Sequence, residues 1–95
     1  MYADPQIRRV LLLLHQVPLG AIVSLRVVRD RDGAGNTGAA TFHSIDELQN
    51  AVVFEKAPGL NPFPIDAKGA SFPLDLVRTV YRMRGGTWQI VIGAF

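Results

Sequence analysis

No cysteine occurs among the 95 residues of this chain, so neither disulfide bonds nor thiolate-bound metal can hold its fold together. A domain this short buries a thin core, and it folds alone only when most of its apolar side chains point inward. Hydrophobic residues make up 48% of the chain and charged residues 19%, which supplies that core and argues against a disordered segment. We therefore expect one soluble domain over residues 1–95, in the reducing environment of the cytoplasm.

The most apolar stretch of the chain is too short to cross a membrane. Residues 10–14 are all apolar, whereas a membrane-spanning helix needs about 20 such residues. Asp4 precedes this run, and no small-residue cleavage site follows it before Pro18, so we expect no secretion signal. The sequence predicts no membrane partner.

The first predicted helix begins at Asp4-Pro5 and runs to about Gln16. Aspartate can cap the free N–H groups of the first turn, and proline fits the first helical position. Successive helical residues are rotated by about 100°, which gathers the buried side chains into one stripe. That stripe consists of Ile7, Val10, Leu11, Leu14 and Val17.

Two leucines fall outside this stripe. Leu12, and less clearly Leu13, lies on the side of the helix that carries Arg9 and Gln16. One interpretation places this side under a loop. The other makes it an interface with a partner protein or a second copy, because exposed leucines beside arginines are typical of interfaces. The predicted interaction surface consists of Arg9, Leu12, Leu13 and Gln16.

Two strands joined by a turn are predicted next. Residues 21–30 alternate between apolar and polar side chains, as in a strand with one buried face. The Asp, Gly and Asn residues at 30–36 are typical of a hairpin connection, and a second strand follows near 37–43. The apolar face of the first strand carries Val23, Leu25 and Val27.

A second helix is predicted after these strands. The motif Ser-Ile-Asp-Glu at residues 44–47 matches a capping box, and the helix should end near Glu55. Ile45, Leu48 and Val52 would form its apolar stripe. Residues 57–73 contain four prolines and two glycines, which predicts an irregular loop. The loop is expected to pack down through Leu60, Phe63, Ile65 and Phe72.

Residues 74–84 fit two structures. Pro73 followed by Leu and Asp is typical of a helix start, whereas residues 77–81 are rich in strand formers. The Arg-Gly-Gly at 84–86 fits a hairpin turn before an obvious strand over 87–95. We favour two strands here over a helix followed by a strand, with Trp88 in the core.

The order of elements over residues 4–54 resembles the middle of an RNA-recognition motif. The resemblance rests on the Arg-Asp-Arg-Asp-Gly turn at 29–33 and on Phe-His-Ser-Ile-Asp-Glu at 42–47, which enters the second helix. It covers about half of the chain and implies a ferredoxin-like α+β domain.

The sequence departs from this family in two places. The family expects Lys/Arg-Gly-aromatic-Gly/Ala-aromatic-Val-x-aromatic on its third strand. With Phe42 on the last position, Thr37 and Ala39 replace the two stacking aromatics. No strand precedes the first helix, although residues 90–95 are similar to the family's first strand, which would make the chain a circular permutant. The predicted fold class is α+β: a two-layer αββαββ sandwich whose antiparallel sheet carries two helices on one face.

No cluster of residues predicts catalysis. His15 and His43 have no carboxylate at the spacing of a metal site or a triad. Residues 30–33 begin like a calcium loop that lacks its final acidic residue. A G-x-G-x-x-G pattern at 33–38 precedes a strand where a nucleotide site needs a helix. We expect no enzyme activity, no cofactor and no metal.

The sheet face opposite the core suggests a second possible function. It is predicted to carry Ser24, Arg26, Thr41, His43, Gln89 and Val91, with either Tyr81 or Arg78 and Arg82 from the next strand. Arginines there would bind backbone phosphates, but the face lacks the aromatic platforms on which bases stack. The candidate nucleic-acid-binding residues are Arg26, Arg29, Thr41, His43, Arg78, Arg82 and Arg84.

The sequence therefore favours a small non-catalytic module that acts through protein–protein interaction, of a regulatory or inhibitory type. Its expected partner is another protein or its own copy. The alternative is a module that binds RNA or single-stranded nucleic acid.

Overall fold

One α-helix and six β-strands form the part of the chain that the structure describes. This computed structural model describes residues 4–29, 31–57, 59, 64 and 69–93. In chain order the elements are α1 (Pro5–Leu14), β1 (Ile22–Val28), β2 (Gly35–Asp46), β3 (Ala51–Lys56), β4 (Gly69–Pro73), the 3₁₀ turn η1 (Leu74–Leu76), β5 (Val77–Arg82) and β6 (Trp88–Gly93).

All six strands belong to one mixed sheet, in the order β4-β3-β2-β1-β6-β5. β1 and β6 run parallel, and the other neighbouring pairs are antiparallel. Strands that follow each other in the chain are neighbours except where η1 leads from β4 to β5. These two strands are the opposite edges of the sheet, so the length of this connection limits how far apart the two edges can lie.

The connection between the two edges is too short for a flat sheet. Pro73 of β4 lies in the row of Asp46, and Val77 of β5 lies in the row of Asn36. On a flat sheet, five strand spacings and ten residues along β2 would separate Pro73 from Val77 by about 40 Å. Four Cα–Cα steps span at most about 15 Å. The sheet must therefore curl until its edges approach each other.

β2 is the strand about which the sheet curls. Its residues 35–41 pair with β1 and its residues 40–46 pair with β3, so Ala40 and Thr41 are the residues of β2 that pair with both strands. A bulge between Phe42 and Ser44 lies next to this changeover, and bulges bend a strand and increase its twist. The concave side of the curl encloses the core.

The core fills the concave side of the sheet, where α1 packs against β5 and η1. Three phenylalanines from adjacent strands form its centre: the ring centroids of Phe42 and Phe54, and of Phe54 and Phe72, are each 6.1 Å apart. Leu14 of the helix is completely buried. The predicted alternation of β1 is confirmed, since Val23, Leu25 and Val27 are buried on this side.

The helix α1 is confirmed with the cap that the sequence predicts. The side chain of Asp4 accepts a hydrogen bond of 2.8 Å from the backbone N–H of Gln6, and proline occupies the first turn. Val10, Leu11 and Leu14 form its buried stripe. The helix ends at Leu14, two residues before the predicted end.

The prediction of an αββαββ sandwich with two helices is wrong. Residues 44–55, predicted as the second helix, form the end of β2, a turn over 47–50 and most of β3. The described chain carries one helix, and β6 lies parallel to β1 in a six-stranded mixed sheet.

The capping-box residues close a hairpin where a helix was expected. The side chain of Asp46 accepts a hydrogen bond of 3.2 Å from the backbone N–H of Gln49, which stabilises a tight turn. Asn50 adopts the left-handed conformation, with φ of 53°, and this ends the turn. Val52, predicted on a helical stripe, instead pairs with Ile45 and Phe72 across the sheet. Leu48, predicted on the same stripe, is 98% exposed.

The conformation of Asn50 makes the hairpin testable. Asn50→Ala should lower the free energy of unfolding by about 1–2 kcal/mol, because a Cβ is strained in the left-handed region when no short polar side chain compensates it. Asn50→Gly, the matched variant, should leave stability unchanged or slightly higher. Urea denaturation of both variants measures this difference. Equal stability of the two would contradict the turn.

The predicted irregular loop over 57–73 contains a strand. Residues 69–73 form β4, where Phe72 is buried as expected. A Cβ on Gly69 would lie 2.9 Å from the carbonyl oxygen of Phe54, so glycine permits the close pairing. The predicted packing of Leu60, Phe63 and Ile65 lies outside the described residues.

The preference for two strands after residue 74 is confirmed. β5 and β6 form a hairpin whose turn is closed by a 2.8 Å bond from the N–H of Met83 to the carbonyl of Thr87. The helix-start signal at Pro73 yields only the 3₁₀ turn η1. Trp88 is half-buried and packs against the core. Among the described residues, no helix is long and apolar enough to span a membrane.

Candidate functional site

Several large apolar side chains project into solvent, and three of them are leucines. An isolated exposed leucine is ordinary on a protein surface, but several around one depression indicate an interaction site. Leu12 and Leu19 are each 69% exposed, and Leu48 is 98% exposed. Ile22 and Tyr81, at 52% and 47%, lie on the sheet.

The predicted interaction surface on α1 divides into an exposed part and a packed part. Arg9, Leu12 and Gln16 are exposed. Leu13 is half-buried and packs against the core, so it contributes to stability more than to a surface. Leu12 lies on the helix side opposite the buried stripe, where helical periodicity predicts it.

A groove lies between the end of α1 and the end of β2, and we call it the helix-end groove. Its volume is about 400 Å³. Its floor is formed by buried residues of the core. Its walls are His15, Pro18 and Leu19 on one side and Ser44, Ile45 and Glu47 on the other.

Backbone hydrogen bonds set the position of the groove. After α1, the N–H groups of Gln16 and Val17 bond the carbonyls three residues earlier, which continues the chain as a turn. Gly20 and Ala21 then pair with Phe42, with N···O distances of 2.8 and 2.9 Å. These bonds hold the segment after the helix against β2, so the groove is fixed at both walls.

One exposed leucine lines this groove, and the other two are near wall residues in the chain. His15 lies one helical turn after Leu12, and residues three or four apart on a helix are neighbours. Leu19 is itself part of a wall. Leu48 follows Glu47 of the opposite wall directly in the chain. We call these three exposed side chains, together with the groove walls next to them in the chain, the leucine surface.

The two sides of the leucine surface carry opposite charges. Arg8 and Arg9 are exposed on α1, on either side of Leu12. Glu47 is exposed on the hairpin turn beside Leu48, and Asp46 precedes it. The helix side is thus basic and the hairpin side acidic.

The outer face of the sheet is the face opposite the core. The alternation of side chains along the strands places the predicted polar residues there, and β5 contributes Tyr81. The register places Ser24 beside Gln89 and Arg26 beside Val91, and the hydroxyl of Tyr81 donates a 2.6 Å hydrogen bond to Gln89 Oε1. Thr41 lies further along this face. Ile22, Ser24, Thr37 and Ala39 line a shallow depression here.

Most candidate nucleic-acid-binding side chains on this face and its hairpin are engaged within the chain. Arg26 donates to Thr37 Oγ1 at 3.2 Å and to the carbonyl of Gly33 at 3.1 Å. Arg29 forms an ion pair of 2.8 Å with Asp32.

His43 has two polar neighbours. Its Nε2 lies 3.5 Å from a carboxylate oxygen of Glu55, and its Nδ1 lies 2.8 Å from Ser44 Oγ.

The remaining candidate arginines lie along β5 and its turn. Arg82 pairs with Trp88, on the side of the sheet opposite Tyr81, and bonds the carbonyl of Gly86 at 3.3 Å. Arg78 lies in a bulge of the edge strand, and Arg84 is exposed in the turn. The candidate arginines are therefore spread over both sides of the sheet and do not form a single basic surface.

Comparison with protein-family models, with curated proteins and with solved structures finds no match to this chain. The resemblance to the RNA-recognition motif stays a prediction. Among the residues that the structure describes, no group of three His, Asp or Glu side chains could hold a metal ion.

Sequence reasoning found Leu12 but missed the other two leucines. Leu48 fits the spacing of a helical stripe, although the Asp46 and Asn50 that flank it are residues that favour tight turns. Leu19 follows Pro18, beyond the predicted end of the first helix near Gln16. No local signal indicates that it faces β2, because that neighbour is more than twenty residues away in sequence.

Proposed function

We propose that this chain is a small non-catalytic protein-binding module, of a regulatory or inhibitory type, that docks a protein partner on the leucine surface. The observation that carries the proposal is the exposure of Leu19 in the wall of a groove, together with exposed Leu12 and Leu48 close to the wall residues His15 and Glu47. Burying a leucine side chain is worth about 1.5–3 kcal/mol. In the free chain these three side chains are mostly exposed to water, so a partner that covers them would gain much of this free energy.

The form of the site also supports docking of a protein. Interfaces typically combine an apolar centre with a polar rim, and arginine is enriched in them. The leucine surface has this composition, with Arg8 and Arg9 on one side and Glu47 on the other. Both walls of the groove are held by backbone hydrogen bonds, so little ordering is needed when a partner binds.

The alternative, binding of RNA or single-stranded nucleic acid, has weaker support. Arg26 and Arg29 already bond groups of their own chain. Tyr81 is the one aromatic ring that the described residues place on the outer face, and stacking of successive bases needs several.

A double substitution tests the proposal. Leu12→Glu with Leu19→Glu should abolish capture of the chain's protein partner, because charges would replace the apolar centre of the surface. Its free energy of unfolding should change by no more than about 1 kcal/mol, since each site is mostly exposed. Affinity capture from the source cell, compared quantitatively between variant and wild type, measures the first effect, and urea denaturation measures the second.

Ile22→Glu is the matched control, since it introduces the same charge at an exposed apolar residue on the outer face. It should capture the same protein as the wild type. A partner that survives the double substitution but is lost with Ile22→Glu would overturn the proposal. So would single-stranded RNA bound at low salt by the double variant and lost when Arg78, Arg82 and Arg84 become alanine.

A further inference from the structure

We infer that the partner of the leucine surface is a second copy of this chain, in a dimer with two-fold symmetry. The hairpin turn of each copy, with Leu48 at its tip, docks into the helix-end groove of the other. This inference rests on the proposed function, because it uses the same surface and adds the identity of the partner.

The hairpin turn has the form of a preformed knob. Leu48 is 98% exposed, so its side chain makes almost no contact within its own chain. The turn that carries it is braced by the Asp46–Gln49 hydrogen bond and by the left-handed Asn50. The carbonyl of Asn50 also accepts a 2.8 Å bond from the N–H of Leu74, which ties the turn to η1. A braced turn loses little conformational entropy when it docks.

The helix-end groove has the form of the matching hole. Its volume of about 400 Å³ would hold roughly a dozen water molecules at about 30 Å³ each. The four carbons of a leucine side chain fit within that space. Leu14, Val17 and Phe42 line the floor, so the displaced water leaves an apolar surface.

The closeness of knob and hole favours a closed pair. Glu47 is part of the groove wall, and Leu48 is the next residue in the chain. A two-fold axis that passes between knob and hole brings each knob to the other copy's hole, so one repeated contact closes the pair. Because the two features are adjacent, both contacts lie within one interface.

The charges of the surface are also self-complementary. When the hairpin of one copy meets the helix of the other, Glu47 approaches Arg8 and Arg9, and the same contact is repeated by symmetry. An unrelated partner would have to supply both the apolar knob and both charge signs. This chain supplies all of them on one surface.

The size of the interface requires the helix side to take part. A stable interface buries about 800 Å² on each partner, which is about 13% of the 6036 Å² surface of this chain. One leucine in a groove is smaller than that. The exposed face of α1 with Leu12 extends the contact, because it adjoins the groove through His15.

Light scattering coupled to size-exclusion chromatography tests the dimer. Wild-type chain, run from about 1 to about 500 μM, should reach twice the 10.4 kDa mass of one chain. Leu48→Glu should weaken the dimer at least tenfold, as expected for a central apolar contact. Gln49→Glu is the matched control, because it adds the same charge to the same turn and keeps Leu48. It should dimerise as the wild type does.

Charge reversal tests the arrangement of the dimer. Glu47→Arg should dimerise poorly by itself, and so should Arg8→Glu with Arg9→Glu, because like charges would then meet. An equal mixture of the two variants should form a heterodimer, since each hairpin then meets a helix of opposite charge. Native mass spectrometry distinguishes the mixed dimer from the two parent chains.

The outcomes separate this inference from the proposed function. A wild-type chain that stays monomeric up to about 500 μM overturns the dimer, and so does a dimer that Leu48→Glu leaves intact. Failure of the two charge variants to pair overturns the arrangement. If the chain is monomeric but still captures another protein through Leu12 and Leu19, the proposed function stands and only the identity of the partner is wrong.

Discussion

Replacement of Phe54 by alanine is expected to lower the free energy of unfolding by about 3–5 kcal/mol, the largest effect we predict for any single substitution. Phe54 is completely buried at the centre of the core. Its ring lies 6.1 Å from the rings of both Phe42 and Phe72, so removing it opens a cavity between three strands.

The effect is large compared with the total stability of a chain this short. A domain of this length has a free energy of unfolding of about 5–14 kcal/mol. The melting temperature should therefore fall by at least about 12 °C. Thermal and urea denaturation followed by circular dichroism measure both quantities.

Two controls make this expectation specific to the core. Phe54→Leu keeps most of the apolar volume and should cost less than about 1.5 kcal/mol. Leu48→Ala removes an exposed side chain and should change stability by no more than about 0.5 kcal/mol. A Phe54→Ala variant as stable as Phe54→Leu would mean that the three rings do not form the centre of the core.

Gly35→Ala is expected to have the second-largest effect, a loss of about 1–3 kcal/mol or more. A Cβ on Gly35 would lie 2.7 Å from the Cα of Val28 and closer still to the carbonyl oxygen of Val27. These are backbone atoms of β1, which cannot rotate away as a side chain would. The first residues of β2 would have to separate from β1, which breaks the pairing where the hairpin begins.

Gly85→Ala is the matched control for this substitution. Gly85 lies in the turn between β5 and β6, where a Cβ would meet nothing within 4 Å. Its replacement should change the free energy of unfolding by no more than about 0.5 kcal/mol, or stabilise slightly, because alanine has less freedom in the unfolded chain. Urea denaturation of both variants compares them directly, and equal losses would contradict the close approach of β2 to β1.

Sequence reasoning succeeded where local contacts decide the structure. The cap at Asp4 and the stripe of α1 follow from interactions within one or two helical turns, and both are confirmed. The alternation of β1 and the hairpin over 77–93 are also local, because a strand's buried face and a two-strand turn are visible in neighbouring residues. For the same reason the exposed position of Leu12 could be predicted.

The same reasoning failed at residues 44–55 because two local patterns compete there. Ile45, Leu48 and Val52 fit the spacing of a helical stripe, while Val52, Val53 and Phe54 are also good strand formers. The choice is made by partners distant in the chain. β3 lies between β2 and β4, and the pairing of Val52 with Phe72 spans twenty residues. β4 lies in a segment whose prolines and glycines predict an irregular loop. It forms a strand because it pairs with β3, whose residues are distant from it in the sequence.

The sequence alone determined that this is a cysteine-free chain with enough apolar residues for a core, that it begins with a capped amphipathic helix, and that one leucine of that helix faces outward. These features depend on composition and on neighbours a few residues apart. The tertiary structure alone decided that the sheet curls about β2, that the helix packs on its concave side, and that Leu19 and Glu47, the residue before Leu48, line one groove. The curl of the sheet arises because the short link from Pro73 to Val77 joins its opposite edges. Which strands become the edges depends on pairings between residues distant in the chain, and no local sequence pattern indicates them.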